Sequence, residues 1–355
     1  MQFMRAGGLR SSLRLDAGSQ AACLKGLRLV CAYGLGFAFG ESLGRAFDGG
    51  AGISPGFLVG NFALWASVSE MQIKRARPVF DLVALCIAAS CGALLFAVSS
   101  PELARLGRCG PELVLVCGAF LTGALKRFGV LGGGIGSQLY IGALLAYGVR
   151  PHGMDLGMLV MAAPAAAVAA VLPRLLIGSR DAMPTLAIVP ARSALTMGLQ
   201  AALAALAVVS LDAALQLDEP QWAITACTYV ITATAAATAL RARQRIVGTL
   251  IGVPLALACL PLAEQWPPLA WMAAATAMVV YATALAEHYD IACGAFAFTL
   301  IVTLAASGEH SLALLASRAW ETSLGGILGW LAGRYCFRLE SPSRTRRNDS
   351  AWLGS

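Results

Sequence analysis

The sequence predicts an all-α fold: a polytopic membrane helix bundle of about twelve transmembrane helices in two parallel six-helix repeats. Of the 355 residues, 58% are hydrophobic and only 13% are charged, about half the charged fraction of a soluble domain. Long apolar segments recur along the chain, and the basic residues between them fall mostly on alternate connections. Lipid is therefore the predicted solvent of most of the polypeptide.

Twelve apolar segments are candidates for crossing the membrane, because a membrane helix needs roughly 17–25 mostly apolar residues. In the first half they are residues 27–43, 55–71, 79–98, 112–125, 131–148 and 156–177. In the second half they are residues 191–211, 222–240, 246–262, 269–286, 291–306 and 312–335. Whether the two shortest segments, 112–125 and 291–306, cross completely stays open.

The distribution of basic residues predicts the orientation. With both ends in the cytoplasm, 21 of the 26 Lys and Arg residues fall on the inner side and 5 on the outer side, as the positive-inside rule requires. The predicted regions are a basic cytoplasmic lead (1–26), a first repeat (27–178), a second repeat (190–336) and a basic cytoplasmic tail (337–355). This organisation predicts a multi-pass protein of a bacterial inner membrane.

The order of proline, tryptophan and basic residues repeats after roughly 160–165 residues, which is the kind of period that marks duplicated units. In the first half the order is Pro55, Trp65 and a basic run at 74–77. In the second half it is Pro220, Trp222 and a basic run at 241–245. Because each half has an even number of helices, the halves are predicted to run parallel, with a cavity between them.

Several function classes are disfavoured by the composition. The net charge of +7 comes from basic residues set singly between apolar runs and at the two ends, a pattern typical of topology and lipid contact rather than of nucleic-acid binding. The ten cysteines lie mostly within apolar segments, so we expect no disulfides and no zinc site. The three histidines are dispersed, and no P-loop motif occurs. We therefore expect no cofactor, no metal and no enzymatic activity.

Residues 222–252 resemble the fusaric-acid-resistance-like (FUSC) family, also called aromatic acid exporters. That family has a Trp-led helix, an R-x-R-x-R linker and a helix that starts I-x-G-T-x-x-G. The matching residues here are Trp222, Arg241, Arg243, Arg245, Gly248, Thr249 and Gly252. Further on, Arg318, Glu321, Thr322, Gly325 and Gly326 resemble the closing helix of the family.

The resemblance covers residues 191–335 and is weaker in the first half. There the basic run at 74–77 is followed by Pro78, and Asp81 stands where Gly-Thr would be expected. The long members of the family carry a large cytoplasmic domain, for which we expect no counterpart here because no long polar stretch occurs in the sequence. The resemblance implies export of aromatic carboxylates or similar weak acids, driven by the proton gradient.

Arg318 and Glu321 are the first candidates for the substrate pathway, since ionisable groups inside a membrane are costly and commonly functional. They are three residues apart and therefore share a helix face. Two interpretations stay open: a gate or proton-linked pair at the outer end of the last helix, and a structural ion pair that locks this helix.

Arg241, Arg243 and Arg245 are predicted to face the cytoplasm between two helices. They could form an electrostatic funnel for anionic substrates, or they could only set topology and contact lipid headgroups. Gly248 and Thr249 follow at a predicted helix start, where free backbone N–H groups could hold a carboxylate. Alternatively, Gly248 and Gly252 form a small-residue packing face.

Three further residues complete the candidate pathway. Glu70 is the candidate proton carrier, because apolar residues flank it on one side. Gln138 and Thr299 are uncharged polar residues on corresponding helices of the two halves and could line a pathway.

The sequence thus predicts a proton-coupled exporter with a polar cavity between its halves. The predicted partners are the lipid bilayer, a small organic anion as substrate and either a second copy of the chain or a periplasmic adaptor protein. The alternative is a non-transport membrane scaffold, which would have a central seam closed by Ala and Gly. A membrane enzyme for lipid-linked substrates would need clustered acids or histidines at one membrane face, and the sequence shows no such cluster.

Overall fold

The computed structural model describes residues 17–46, 54–70, 78–149, 156–177, 189–285, 287–306 and 311–337. Within these ranges every regular element is a helix, so the predicted all-α class is confirmed. The start of the predicted lead, the basic run at 74–77 and the predicted tail after residue 337 lie outside the described residues.

Each predicted apolar segment overlaps a helix. The helices of the first half are α1 (Ala17–Ala46), α2 (Pro55–Glu70), α3 (Pro78–Ala104), α4 (Glu112–Ala124), α5 (Gly129–Val149) and α6 (Leu156–Ile177). Those of the second half are α7 (Ala191–Leu215), α8 (Pro220–Val230), α9 (Ala235–Ala258), α10 (Leu260–Gln265), α11 (Pro267–Ala284), α12 (Tyr289–Ala306) and α13 (Leu312–Tyr335).

Seven segments within the described ranges are long and apolar enough to cross a membrane. They are Cys23–Ala46, Val79–Ala104, Glu112–Gly148, Leu156–Ile177, Ala191–Leu215, Pro267–Ala284 and Tyr289–Ala306. The chain is therefore a multi-pass helical membrane protein. The count of twelve crossings stays a prediction, because α2 and α8 have only 16 and 11 residues, and α9 and α13 carry charged side chains.

One of these seven segments is a helical hairpin. A 3₁₀ turn at Leu125–Phe128 separates α4 from α5, and the next residue, Gly129, has a φ of 83°. A residue with a Cβ rarely adopts this left-handed conformation, so glycine suits the reversal. Gly118 on α4 then lies against Tyr140 on α5, and the two helices pack antiparallel.

The predicted boundary between segments 222–240 and 246–262 is wrong. Helix α8 ends at Val230, and α9 begins at Ala235, well before the basic run. Threonine side chains explain the break, because they offer the backbone bonds that compete with a helix. Thr232 N donates to Thr238 Oγ1 at 3.0 Å, and Thr234 caps α9 by accepting from Ala237 N at 3.2 Å. Arg241, Arg243 and Arg245 therefore lie inside a helix rather than in a linker.

The helices of each half pack on one another in a definite order. In the first half α1 packs on α2 and α6, α3 packs on α5 and α6, and α4 packs on α5. In the second half α7 packs on α8 and α13, α9 packs on α12 and α13, and α11 packs on α12. Two pairs make the main contacts between the halves: α4 with α7, and α1 with α11.

Glycines allow the closest of these helix contacts, as expected where close packing rather than a hydrophobic force holds helices together in lipid. At the α9–α12 contact, a Cβ added to Gly252 would stand 2.2 Å from the carbonyl oxygen of Gly294. At the α4–α7 contact, a Cβ on Gly123 would stand 2.3 Å from the backbone nitrogen of Gly198.

Replacing Gly252 by alanine should force α9 away from α12. We expect Gly252→Ala to lower the free energy of unfolding by about 1–3 kcal/mol, as overpacking does, and to lower the melting temperature of the detergent-purified protein. Gly34→Ala is the matched control, because a Cβ at Gly34 meets no atom within 4 Å. Equal melting temperatures for the two variants would show that the α9–α12 contact tolerates a methyl group.

Candidate functional site

An ion-pair cluster lies where α13 meets the start of α8. Arg318 Nη2 is 3.0 Å from Glu219 Oε2, and the Arg318 guanidinium lies 4.2 Å from the centroid of the Trp222 ring. The backbone nitrogen of Glu219 donates a hydrogen bond of 2.9 Å to Glu321 Oε1. We call Glu219, Trp222, Arg318 and Glu321 the Glu219 cluster. Arg318 and Glu321 are only 6% and 0% exposed, so these charges depend on their neighbours for stabilisation.

Sequence reasoning missed the residue that organises this cluster. The expected pairing of Arg318 with Glu321 rested on their spacing within α13, whereas Glu219 precedes Arg318 by 99 residues. The structure brings both predicted residues to Glu219. The second carboxylate oxygen of Glu321, Oε2, is buried and has no hydrogen-bond partner within the described ranges.

A polar and aromatic seam lies between the two halves. Ser137 Oγ and Tyr229 Oη are 2.6 Å apart, and Tyr140 Oη and Thr225 Oγ1 are 2.8 Å apart, so hydroxyl pairs join α5 to α8. The Tyr140 and Tyr229 rings meet edge to face, with centroids 5.8 Å apart. Hydroxyl groups therefore meet across this contact.

Three further aromatic residues extend the seam along α2, α11 and α12. The Trp65 ring centroid lies 6.3 Å from that of Tyr281 and 5.3 Å from that of Phe296. We call Ser137, Tyr140, Thr225, Tyr229, Trp65, Tyr281 and Phe296 the central seam. Sequence reasoning missed the tyrosines, since an aromatic residue in an apolar helix gives no sign of the direction it faces.

Gln138 and Thr299 differ in how much of their hydrogen-bonding capacity is used. Gln138 is fully buried, and its Nε2 donates to Ser69 Oγ at 2.9 Å. Its Oε1 is buried and has no hydrogen-bond partner in the part of the chain described. Thr299 Oγ1 donates to the carbonyl oxygens of Ala295 and Ala274, which ties α12 to α11. Gln138 therefore has an acceptor to offer, whereas the hydroxyl of Thr299 is engaged.

The three predicted arginines of α9 occupy different surroundings. Arg241 lies 5.4 Å from the centroid of the Tyr289 ring, and Arg245 lies close to the hydroxyl of Tyr289. Lys126, from the turn between α4 and α5, is close enough to Arg241 for electrostatic repulsion. The Nε of Arg245 is buried, and no described residue accepts its hydrogen bond. Residues from both halves therefore bring positive charge to the region where α12 begins.

Arg243 points elsewhere. It is exposed and lines an open, mostly apolar groove of about 320 Å³ between α9 and α13, together with Ile246 and Trp330. Because residues two apart on a helix lie on nearly opposite faces, Arg243 and Arg245 cannot contribute to the same surface.

Gly248 and Thr249 lie in the middle of α9, so the predicted helix start at this point is wrong. The N–H groups of a helix interior are bonded within the helix and are not free to hold an anion. A Cβ on Gly248 would stand 2.2 Å from the carbonyl oxygen of Asp290. Packing against α12 thus accounts for the glycine, and Thr249 is buried beside it.

Glu70, the predicted proton carrier, is buried at the end of α2. Its Oε1 accepts a hydrogen bond of 3.1 Å from Arg174 Nε on α6. A cavity of about 10 Å³ adjoins this pair and is also lined by Arg28 and Ser67, which is room for about one water molecule. The surroundings of Glu70 are those of an ion pair that ties α2 to α6.

Residues 201–332 match the family described as Fusaric acid resistance protein-like. The similarity to that family covers less than half of the 355-residue chain. The fusaric acid resistance-like region runs from α7 into α13 and contains Arg245 and the whole Glu219 cluster. Neither the curated proteins nor the solved structures gave a match to the chain. The family similarity and the apolar helices indicate a membrane protein of the transport or efflux type.

Removing the cation of the Glu219 cluster should destabilise the protein. We expect Arg318→Gln to cost about 3–5 kcal/mol, because it leaves a largely buried carboxylate without its partner. Thermal unfolding of the purified protein measures this cost as a lower melting temperature.

The matched control is Arg105→Gln, which breaks the exposed pair between Arg105 and Glu102. Exposed pairs contribute only about 0–1 kcal/mol. If both substitutions lowered the melting temperature equally, the burial of the Glu219 cluster would have no energetic consequence.

Proposed function

We propose that this protein exports small organic acids, aromatic carboxylates in particular, from the cytoplasm, and that the proton gradient drives the export. The central seam carries the proposal. It lies between the halves, where a transport pathway is expected, and it combines tyrosine hydroxyls with aromatic rings. Arg245 approaches from α9 with a buried N–H group that no described residue engages.

The chemistry of these groups fits an aromatic carboxylate. A guanidinium binds a carboxylate through charge-assisted hydrogen bonds, and aromatic rings such as Tyr140 and Tyr229 pack edge to face on a flat ring. Trp65, Tyr281 and Phe296 offer further aromatic surface. An aliphatic acid of the same charge would lose the ring contacts and keep the arginine.

The pathway that we propose begins at the positive region formed by Lys126, Arg241 and Arg245, which would attract anions from the cytoplasm. It passes the central seam with Gln138, and it ends at the Glu219 cluster. Within that cluster Glu321 is the proposed proton carrier, because its buried Oε2 has no hydrogen-bond partner within the described ranges. Glu70 is a weaker candidate for the proton carrier, since Arg174 already neutralises its charge.

We also propose that the two halves are parallel repeats of six membrane-crossing helices. The order of helix pairing supports this: each of the six most extensive helix contacts among α1 to α6 has a counterpart among α7, α8, α9, α11, α12 and α13. The contacts between the halves are reciprocal as well, since the fourth helix of each repeat packs on the first helix of the other. The short α10 is an insertion in this scheme.

A non-transport scaffold is the alternative function. It predicts a central seam closed by alanine and glycine, whereas hydroxyl groups meet at the contact of α5 with α8. Polar side chains in a membrane interior are costly unless they serve a purpose. The seam therefore supports the transporter.

Substitution of Arg245 should strongly reduce transport without unfolding the protein. In inverted vesicles, we expect Arg245→Gln to reduce the uptake of radiolabelled benzoate about tenfold or more, since a hydrogen bond to a charged group contributes about 1.5–3 kcal/mol. Uptake is measured with and without a pH gradient, and radiolabelled butyrate serves as the aliphatic comparison.

Arg243→Gln is the control, because Arg243 faces the open groove. It should leave benzoate uptake unchanged. Equal losses in both variants would contradict the proposed role of Arg245. Absence of benzoate uptake by the unmodified protein, at any pH gradient, would contradict the proposed substrate class.

The proposed orientation places the protein in a bacterial inner membrane with both termini in the cytoplasm. A short epitope tag fused behind Ser355 should be inaccessible to antibody in spheroplasts and accessible after permeabilisation. A tag inserted after Gly107, in the exposed turn between α3 and α4, should be accessible in both preparations. The opposite result for the C-terminal tag would exclude an even number of crossings with a cytoplasmic start.

A further inference from the structure

Three potential metal ligands meet where α4 contacts α7. Cys109 lies in the turn before α4, Glu112 is the first residue of α4, and Asp212 lies in the last turn of α7. One ligand atom of each residue, the thiol sulfur or a carboxylate oxygen, lies within 4.8 Å of the other two. We call these residues the Cys109 cluster. No described residue of the transport pathway proposed above belongs to it.

Hydrogen bonds engage the thiol of Cys109, both carboxylate oxygens of Asp212 and one carboxylate oxygen of Glu112. Tyr147 Oη donates to Glu112 Oε1 at 2.9 Å, and Leu217 N donates to Asp212 Oδ1 at 2.8 Å. Cys109 Sγ donates to Asp212 Oδ2 at 3.1 Å. Burial and this bond raise the pKa of the Cys109 thiol to about 11.

A buried carboxylate oxygen shows that the cluster is incomplete. Glu112 is 4% exposed, and its Oε2 has no hydrogen-bond partner within the described ranges. Asp212, which is 1% exposed, offers only further acceptors. Two buried carboxylates side by side repel each other unless a cation or a proton lies between them. Arg108 is the nearest cation, at 3.8 Å from Asp212 Oδ1, but its side chain is largely exposed.

We propose that the Cys109 cluster binds a divalent metal ion of the zinc class, with Cys109, Glu112 and Asp212 as the three protein ligands. A thiolate selects zinc or cadmium over magnesium and calcium, and carboxylates are common additional ligands of zinc. Ligands at about 2.0–2.3 Å from one ion stand about 3.3–3.8 Å apart, so the present spacing requires only small side-chain movements. On binding, the Cys109 thiol becomes a thiolate ligand and its proton passes to solvent.

The position of the Cys109 cluster makes it accessible to an ion from outside and places the bound ion between the two halves. Residues 105–108 on one side of it are exposed, and this turn lies on the predicted outer face. Because Glu112 belongs to the first half and Asp212 to the second, a bound ion joins the halves. If the halves move against each other during transport, which rests on the proposed function, external zinc slows that transport.

Metal binding is tested on the purified protein with an affinity tag that contains no histidine. Zn²⁺ at micromolar concentration should raise the melting temperature by several degrees, because a ligand that binds only the folded state stabilises it. Cd²⁺ should do the same and add the ultraviolet charge-transfer band of a cadmium thiolate. Mg²⁺ should have no effect.

Three conservative variants identify the ligands. Cys109→Ser, Glu112→Gln and Asp212→Asn preserve size and most hydrogen bonds, and each should lower zinc affinity about 100-fold or more, since changes beside metal ligands already cost about 10–100-fold. Cys117→Ser is the matched control, because Cys117 is an exposed cysteine on α4 and should leave zinc affinity unchanged.

A second measurement needs no variant. Zn²⁺ should slow the alkylation of Cys109 in the unmodified protein, as followed by mass spectrometry of its peptide, while the exposed Cys23, near the start of α1, reacts at an unchanged rate. Absence of a zinc-induced melting shift, or a shift that persists in all three variants, would overturn the proposal and leave a shared proton between the carboxylates as the explanation. Zinc binding without an effect on benzoate transport would retain the metal site and reject its link to transport.

Discussion

Backbone hydrogen bonding in lipid is the constraint on which this structure depends. No water reaches the hydrocarbon region, so each N–H and C=O group must find its partner within a helix or from a nearby side chain. Two departures from helix within the described ranges show how this requirement is met. At the end of α8, Thr238 Oγ1 accepts from Thr232 N and Thr232 Oγ1 donates to the carbonyl oxygen of Thr234. Between α4 and α5 a single 3₁₀ turn keeps the chain bonded through the reversal.

The break after α8 also makes this helix too short to cross the membrane alone, which determines where its first residues lie. With 11 residues, α8 is about 16 Å long, roughly half the thickness of a hydrocarbon core. Gly325 and Gly329 of α13 lie against Ala223 and Cys227, so α8 runs beside the second half of α13. The Glu219 cluster therefore lies two to three helical turns after the first residue of α13, and not at its end. Short or interrupted helices of this kind commonly mark the binding region of a transporter.

Buried charges in this protein are compensated locally and in different ways. Glu70 is paired with Arg174, Arg318 with Glu219 and an indole ring, and Glu321 with a backbone N–H group. Each arrangement lowers the cost of holding a charge away from water. These residues join helices that are distant in sequence, so they also fix which helices are neighbours.

The apolar segments, the all-helical class and the family resemblance could be predicted from the sequence, because hydropathy and local motifs carry that information directly. The break at Ile231 could not, since hydropathy does not register that Thr232 and Thr234 bond the backbone. Glu219 was missed because its partner is far away in sequence. The Cys109 cluster was missed for the same reason: Asp212 comes from another helix, and a single cysteine predicts no site.

The placement of Arg243 has a consequence for the lipid environment. Its side chain lies at an apolar groove that is open toward the outside of the bundle, whereas Arg245, two residues later, is directed into the protein. A long arginine side chain on such a surface extends its guanidinium toward the phosphate region of the bilayer. Anionic phospholipid can therefore reach α9 from the side, and a neutral detergent withdraws that counter-ion when the protein is extracted.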